Sequence, residues 1–162
     1  MRGVCAAGDR TGGGERETIV RPDRDPSFLA LRIDSDPAKV AEVRRALEDY
    51  CRRAGFEDKA CDEMGLCINE ALANVICHAY HGQAGRPIEI SARMDDDRLR
   101  LMIRDWGCGE NPAAKLQCQH DPLMPGGLGM VCLRQLLDKV VFMPMPDGML
   151  LMMERKCKHN NG

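Results

Sequence analysis

Two β-hairpins constrain this chain more than any other feature. Residues 87–94 (PIEISARM) and 98–105 (RLRLMIRD) are rich in β-favouring residues, and Asp95, Asp96 and Asp97 supply the turn between them. Ile88, Ile90 and Ala92 share one face of the first strand, and Leu99, Leu101 and Ile103 share one face of the second. A second pair, about 140–145 and 149–155, is joined by Pro146, Asp147 and Gly148. Strands that arrive in hairpins, rather than in alternation with helices, predict an α+β sandwich: one mixed, mainly antiparallel sheet with its helices on one face.

The rest of the chain fills in that architecture. Residues 27–34 (SFLALRID) alternate like a strand. Ser35 or Asp36 is placed to cap a helix, with Pro37 in its first turn. Val40, Val43, Leu47 and Tyr50 give that helix an apolar stripe, and Gly55 ends it. A second helix is expected from about Glu57 to Tyr80, and a third over 130–140 (MVCLRQLLDKV). Residues 1–26 show little apolar clustering and read as a disordered arm. The domain is expected over 27–156, with a polar tail at 157–162.

The second helix carries an unusual line of side chains. Glu70, Asn74 and His78 fall at i, i+4 and i+8 and so share a face, while Ile68, Leu72, Val75, Ile76 and Ala79 point to a core. A solvated helix face usually carries Lys or Arg, and none occurs from Gly65 to Gln83. A carboxylate, a carboxamide and an imidazole on such a face point to a site.

Two glycine-broken stretches join it. Asp105-Trp106-Gly107-Cys108-Gly109 follows a strand. An ionised carboxylate there only accepts hydrogen bonds, which suits the exocyclic amino group of adenine. Gly107 and Gly109 let the backbone turn tightly beside a flat base. Gly126-Gly127-Leu128-Gly129 precedes the third helix, where free amides and the helix N-terminus favour an anion. Asn74 can offer Mg²⁺ one oxygen, and Glu70 can accept a proton. Each stretch alone is weak evidence. A capped surface turn or a plain linker gives the same letters.

Composition removes other classes. With 23 Lys+Arg against 25 Asp+Glu, total charge argues for neither nucleic acid nor a membrane surface. The nine cysteines form no C-x-x-C pair and several lie in apolar helical runs, so they read as small hydrophobes in a reducing cytoplasm. No apolar run reaches the ~20 residues of a membrane span. His78 and His81 lack the carboxylate or Cys companions of a metal site, and no P-loop signature is present.

Taken in order, E-A-L-A-N, D-W-G-C-G and G-G-L-G resemble the three nucleotide-binding boxes of the GHKL ATPase superfamily. Within it, the form N-E-A-x-x-N-x-x-x-H-A-Y and the short lid are most similar to the anti-sigma-factor serine kinases. The resemblance covers about residues 27–156. It implies a Bergerat-type ATP-binding fold, with ATP as substrate, ADP as product and Mg²⁺ as cofactor. It implies Glu70 as catalytic base and Asn74 as Mg²⁺ ligand. Asp105 becomes the adenine contact, Gly107 and Gly109 the shapers of the base pocket, and Gly126, Gly127, Leu128 and Gly129 the phosphate-holding lid. It also implies a serine-bearing anti-sigma-factor antagonist as substrate, a sigma factor as second partner, and a homodimer. The alternative is a nucleotide-binding regulatory module without phosphotransfer.

The chain departs from that pattern in places. Val75, Ile76 and Cys77 stand where sensor kinases carry a basic residue, and their dimerisation helix with a phosphorylated His is missing. Glu110 replaces a usual aromatic or apolar residue. Asp147-Gly148-Met149 stands where Gly-Thr is common.

Overall fold

The computed structural model describes residues 19–21, 27–108 and 133–157. Its sheet has six strands. They are β1 (Ile19–Arg21), β2 (Phe28–Asp34), β3 (Pro87–Asp95), β4 (Arg98–Asp105), β5 (Lys139–Met145) and β6 (Gly148–Lys156). Their spatial order is β1-β2-β3-β4-β6-β5, and every described ladder is antiparallel. Both expected hairpins are present as β3–β4 and β5–β6. Asp96 takes φ 54° in the first turn, a conformation that Asp tolerates better than most residues.

β1 was not expected from the sequence. The arm assigned to 1–26 is interrupted at Ile19–Arg21, which pairs with Ala30–Arg32. The open edge of β2 offers unpaired backbone groups, and a short β-branched pair beside it can satisfy them. The remainder of that arm, and the tail at 158–162, lie outside the described residues.

Two helices cover one face of the sheet: α1 (Pro37–Arg53) and α2 (Asp58–Asn74). Asp36 is the cap of α1, its carboxylate accepting from the Ala38 amide at 2.9 Å. Ser35 does something else. Its buried hydroxyl donates to the Gln83 carbonyl at 2.6 Å and accepts from the Arg86 amide at 3.0 Å, tying the start of α1 to the chain entering β3. Gly55 takes φ 89° and ends α1 as expected. The third helix is described only over 133–136, and β5 already begins at Lys139.

One contiguous core joins the layers. Leu29, Leu31 and Ile33 of β2, Ile88 and Ile90 of β3, and Leu99, Leu101 and Ile103 of β4 meet Leu47, Met64, Ile68 and Leu72 from the helices. The period-2 pattern of each strand therefore faces the helices, as the sequence indicates. Cys51, Cys61 and Cys67 are buried among these side chains. Burial, the largest cause, pushes the Cys51 thiol up to about 12, so it stays a neutral hydrophobe.

Candidate functional site

The site forms where the end of α2 crosses the end of β4. α2 does not simply run on to Tyr80. After Asn74 the chain widens into a π-helical turn, Val75–Ala79, closed by the Tyr80 amide on the Val75 carbonyl at 2.9 Å. Such turns break the i→i−4 ladder and leave carbonyls pointing elsewhere. Here the Ala79 carbonyl accepts from the Cys108 amide at 3.2 Å, which ties the helix end to the loop after β4.

Gly107 permits that approach. A Cβ built on it would run into the carbonyl oxygen and carbon of Ala79 and lie 2.7 Å from the Ala79 Cβ. Only glycine lets the two backbones meet. Tyr80 adds a second tie. Its phenol accepts from the Trp106 amide at 2.8 Å and donates to the Pro87 carbonyl, while its ring is buried. Helix end, loop and the start of β3 thus share one hydroxyl.

Asp105 stands at the end of β4, between Ile88 of β3 and Met149 of β6. It is 4% exposed, one of the few buried charged residues described. Its Oδ1 accepts from the Gly107 amide at 2.9 Å. Burial, the largest influence, pushes its carboxyl above the ordinary 3.8, while the Gly107 and Met149 amides and the Arg104 charge oppose that rise.

Asn74, His78, Asp105 and Gly107 line one cavity of about 60 Å³, with Ala71, Val75 and Ala79 from the helix and Phe142, Gly148, Met149 and Leu151 from the last hairpin. The last hairpin supplies an apolar wall that the spacing of the boxes did not reveal. The sequence marks this hairpin by its two strands and by the turn Asp147-Gly148, but not the side chains that reach the cavity. The polar groups are the carboxylate, the carboxamide and the imidazole. Apolar walls and one buried acceptor are the chemistry that suits a flat ring with an amino edge.

Glu70 is exposed and lies outside this lining, one helical turn before Asn74. The structure thus brings Asn74, Asp105 and Gly107 together and sets Glu70 on the open side of the same helix. Gly109, Gly126, Gly127, Leu128 and Gly129 lie outside the described residues. A larger groove, about 500 Å³, crosses the sheet's other face at Phe28, Ala30 and Met102. Of its charged groups, Arg32 and Glu89 pair with each other at 2.9 Å and Arg104 is the third; its one carboxylate, Glu89, is exposed, unlike the buried Asp105 below α2.

This sheet, with a helix laid over the end of β4 and a carboxylate beneath it, defines an ATPase-type nucleotide domain: the chain belongs to the histidine kinase-like ATPase domain family, whose model matches residues 33–155. Among curated proteins it is similar to the serine-protein kinase RsbW of Bacillus pumilus, 27% identical over 123 residues that make up 70% of this chain and 76% of that protein. The serine-protein kinase RsbW of Bacillus mycoides is 27% identical over 147 residues, covering 83% of this chain and 90% of that one. Among solved structures, one of the RsbU and RsbW domains of a Mycobacterium tuberculosis protein aligns with a TM-score of 0.58 at 15% identity, over 80% of this chain and 32% of that longer chain. The SiaB-SiaC complex of Pseudomonas aeruginosa aligns with a TM-score of 0.53 at 12% identity, over 80% of this chain and 90% of that one. The two structural likenesses concern the fold.

Proposed function

We propose that this chain is a Mg²⁺-ATP-dependent protein serine/threonine kinase that phosphorylates an anti-sigma-factor antagonist and holds a sigma factor. The observation that carries the reading is the convergence of Asn74, Asp105 and Gly107 on one cavity, with Glu70 one turn away on the open side of α2. The similarity to serine-protein kinases supports the choice of a hydroxyl-bearing protein substrate.

Each residue then has a task. Asp105 accepts a hydrogen bond from the adenine amino group, and Gly107 leaves room for the ring. The residues fit Mg²⁺ in a limited way: Asn74 offers one hard oxygen, and phosphate oxygens and waters complete such a shell. Mg²⁺ held there by Asn74 would supply neutralisation of phosphate charge. Glu70, exposed and outside the base cavity, is the residue we assign to the partner's hydroxyl. It orients that hydroxyl and takes its proton as the oxygen bonds to the terminal phosphorus and ADP leaves. Gly126, Gly127, Leu128 and Gly129 are assigned to the phosphate lid, and Gly109, with Gly107, to the shape of the base pocket.

In this reading residues 27–156 are the kinase domain, to which Ile19–Arg21 adds an edge strand. The chain acts as a homodimer in the cytoplasm. No described helix is long and apolar enough to cross a membrane. The test is transfer of labelled terminal phosphate from ATP to a serine-bearing antagonist. Glu70→Ala is expected to keep ATP binding and lose transfer. Transfer at the parent rate in that variant would remove Glu70 from the chemistry. ATP binding without transfer to any such partner would leave a nucleotide-binding regulatory module.

A further inference from the structure

Arg104 precedes Asp105 on β4 and points to the opposite face of the sheet, where it lines the open-face groove. Its guanidinium does not stay there. Nη1 donates to the Asp105 carbonyl and, at 3.4 Å, to the Met149 carbonyl. Nη2 donates to Asp147 Oδ1 in the β5–β6 turn. The guanidinium carbon lies 4.6 Å from the centroid of the Trp106 ring. One side chain therefore holds the end of β4, the loop that follows it and the turn that begins β6.

Gly148 fits between these parts. It has φ 144°, and a Cβ there would run into the Asp105 carbonyl and lie 2.7 Å from Arg104 Nη1 and from the Trp106 Cα. The Asp147 carboxylate is 64% exposed, so its ion pair alone contributes little. The charge-assisted bonds to two backbone carbonyls and the stacked ring make the stronger ties. A lysine could reach one acceptor but lacks the planar fork and stacking surface to hold all of them.

We infer that Arg104 is a positioning residue for the adenine nucleotide: it clasps the β5–β6 turn and Trp106 against the end of β4, and so fixes Asp105 and Met149 at the rim of the base cavity. The inference rests on the adenine reading of that cavity. It predicts a residue outside the three boxes, on the far face of the sheet, whose loss weakens nucleotide binding without removing any group that touches the base.

Trp106 is the chain's single tryptophan, so its emission reports from the clasp itself. ADP is titrated into the parent protein, Arg104→Lys, Arg104→Ala and Asp147→Ala. Calorimetry and Trp106 emission are read, with amide hydrogen exchange of residues 104–108 and 147–149 in the nucleotide-free proteins. In Arg104→Ala, exchange should rise in those two segments but not in β2 or β3, and ADP affinity should fall about tenfold, or ~1.4 kcal/mol. Arg104→Lys should recover only part of the affinity, and Asp147→Ala should lose less than Arg104→Ala. Parent-like exchange and affinity in Arg104→Ala would overturn the inference, as would exchange rising equally across the sheet. A parent protein that binds no ADP would overturn the adenine reading and this role in nucleotide binding together. The exchange data would still decide whether Arg104 holds the two segments.

Discussion

The Trp106 amide lies 2.8 Å from the Tyr80 phenol oxygen, and through it the end of a helix sets the position of the loop that follows β4. Because the same hydroxyl donates to the Pro87 carbonyl, Tyr80→Phe leaves a half-buried donor and a half-buried acceptor without a shared partner, so the loss should lie towards the lower end of the cost of a fully buried orphan. An unsatisfied buried group costs roughly 1–3 kcal/mol. Denaturant unfolding should show a loss in the lower part of that range for Tyr80→Phe, although the ring still fills its place in the core. A loss below ~0.5 kcal/mol, within the range of ordinary surface changes, would mean that the bond does not hold the loop.

Gly107→Ala should be worse than its size suggests. The added methyl meets backbone atoms of Ala79 rather than a movable side chain. Overpacking of this kind costs roughly 1–3 kcal/mol, and the relief available is to push the loop away from the π turn. Thermal unfolding should fall, and ATP binding should be lost in protein that is still folded. Parent-like binding in Gly107→Ala would show that the close approach to Ala79 does not shape the base pocket.

Asp105 gives a pH dependence with two opposite signs. Its carboxyl lies above the ordinary 3.8 because burial outweighs the Gly107 and Met149 amides and the Arg104 charge. The folded chain therefore takes up this proton before the unfolded chain does. Ionised Asp105 costs stability above the raised value, and the cost fades as pH falls through it towards 3.8. Nucleotide recognition runs the other way, because a protonated carboxyl loses acceptor capacity. Acidification should weaken ATP binding with a midpoint above 3.8, while the stability of the parent relative to Asp105→Asn improves. Binding that tracks unfolding, or a midpoint at or below 3.8, would contradict this assignment.

Met149 lines the cavity from the last hairpin, at a position where the resemblance leads one to expect a threonine. Its backbone is already committed to the ladder opposite Asp105, so a change of side chain leaves the pairing in place. Met149→Thr adds a hydroxyl at the rim. One neutral hydrogen bond contributes roughly 0.5–1.5 kcal/mol, so ATP affinity should rise about two- to tenfold by calorimetry. Weaker binding would show that the thioether packs usefully against the base.

What could be read from the letters follows from periodicity. The alternation in residues 87–94 and 98–105 placed both strands and the core face, and the Asp run placed their turn. Asn74 and Asp105 line one cavity, and each sits near an element end that the sequence marks. The π turn at Val75–Ala79 could not be read, since it ends the helix and too few residues follow it to show the change of phase that an inserted residue makes. β1 was hidden because three residues are too few to show a period. Tyr80 and Arg104 were missed for a different reason. Their roles are hydrogen bonds to backbone atoms far away in sequence, and backbone partners leave no trace in side-chain spacing.

The central claim is that Asn74, Asp105 and Gly107 build an adenine-nucleotide site, and calorimetric titration of the purified chain with ATP, ADP and GTP, with and without Mg²⁺, tests it most directly. Binding of ATP and ADP well ahead of GTP, strengthened by Mg²⁺ for ATP and abolished in Asp105→Ala, is the expected result. Equal binding of GTP, or parent-like ATP binding in Asp105→Ala, would contradict it.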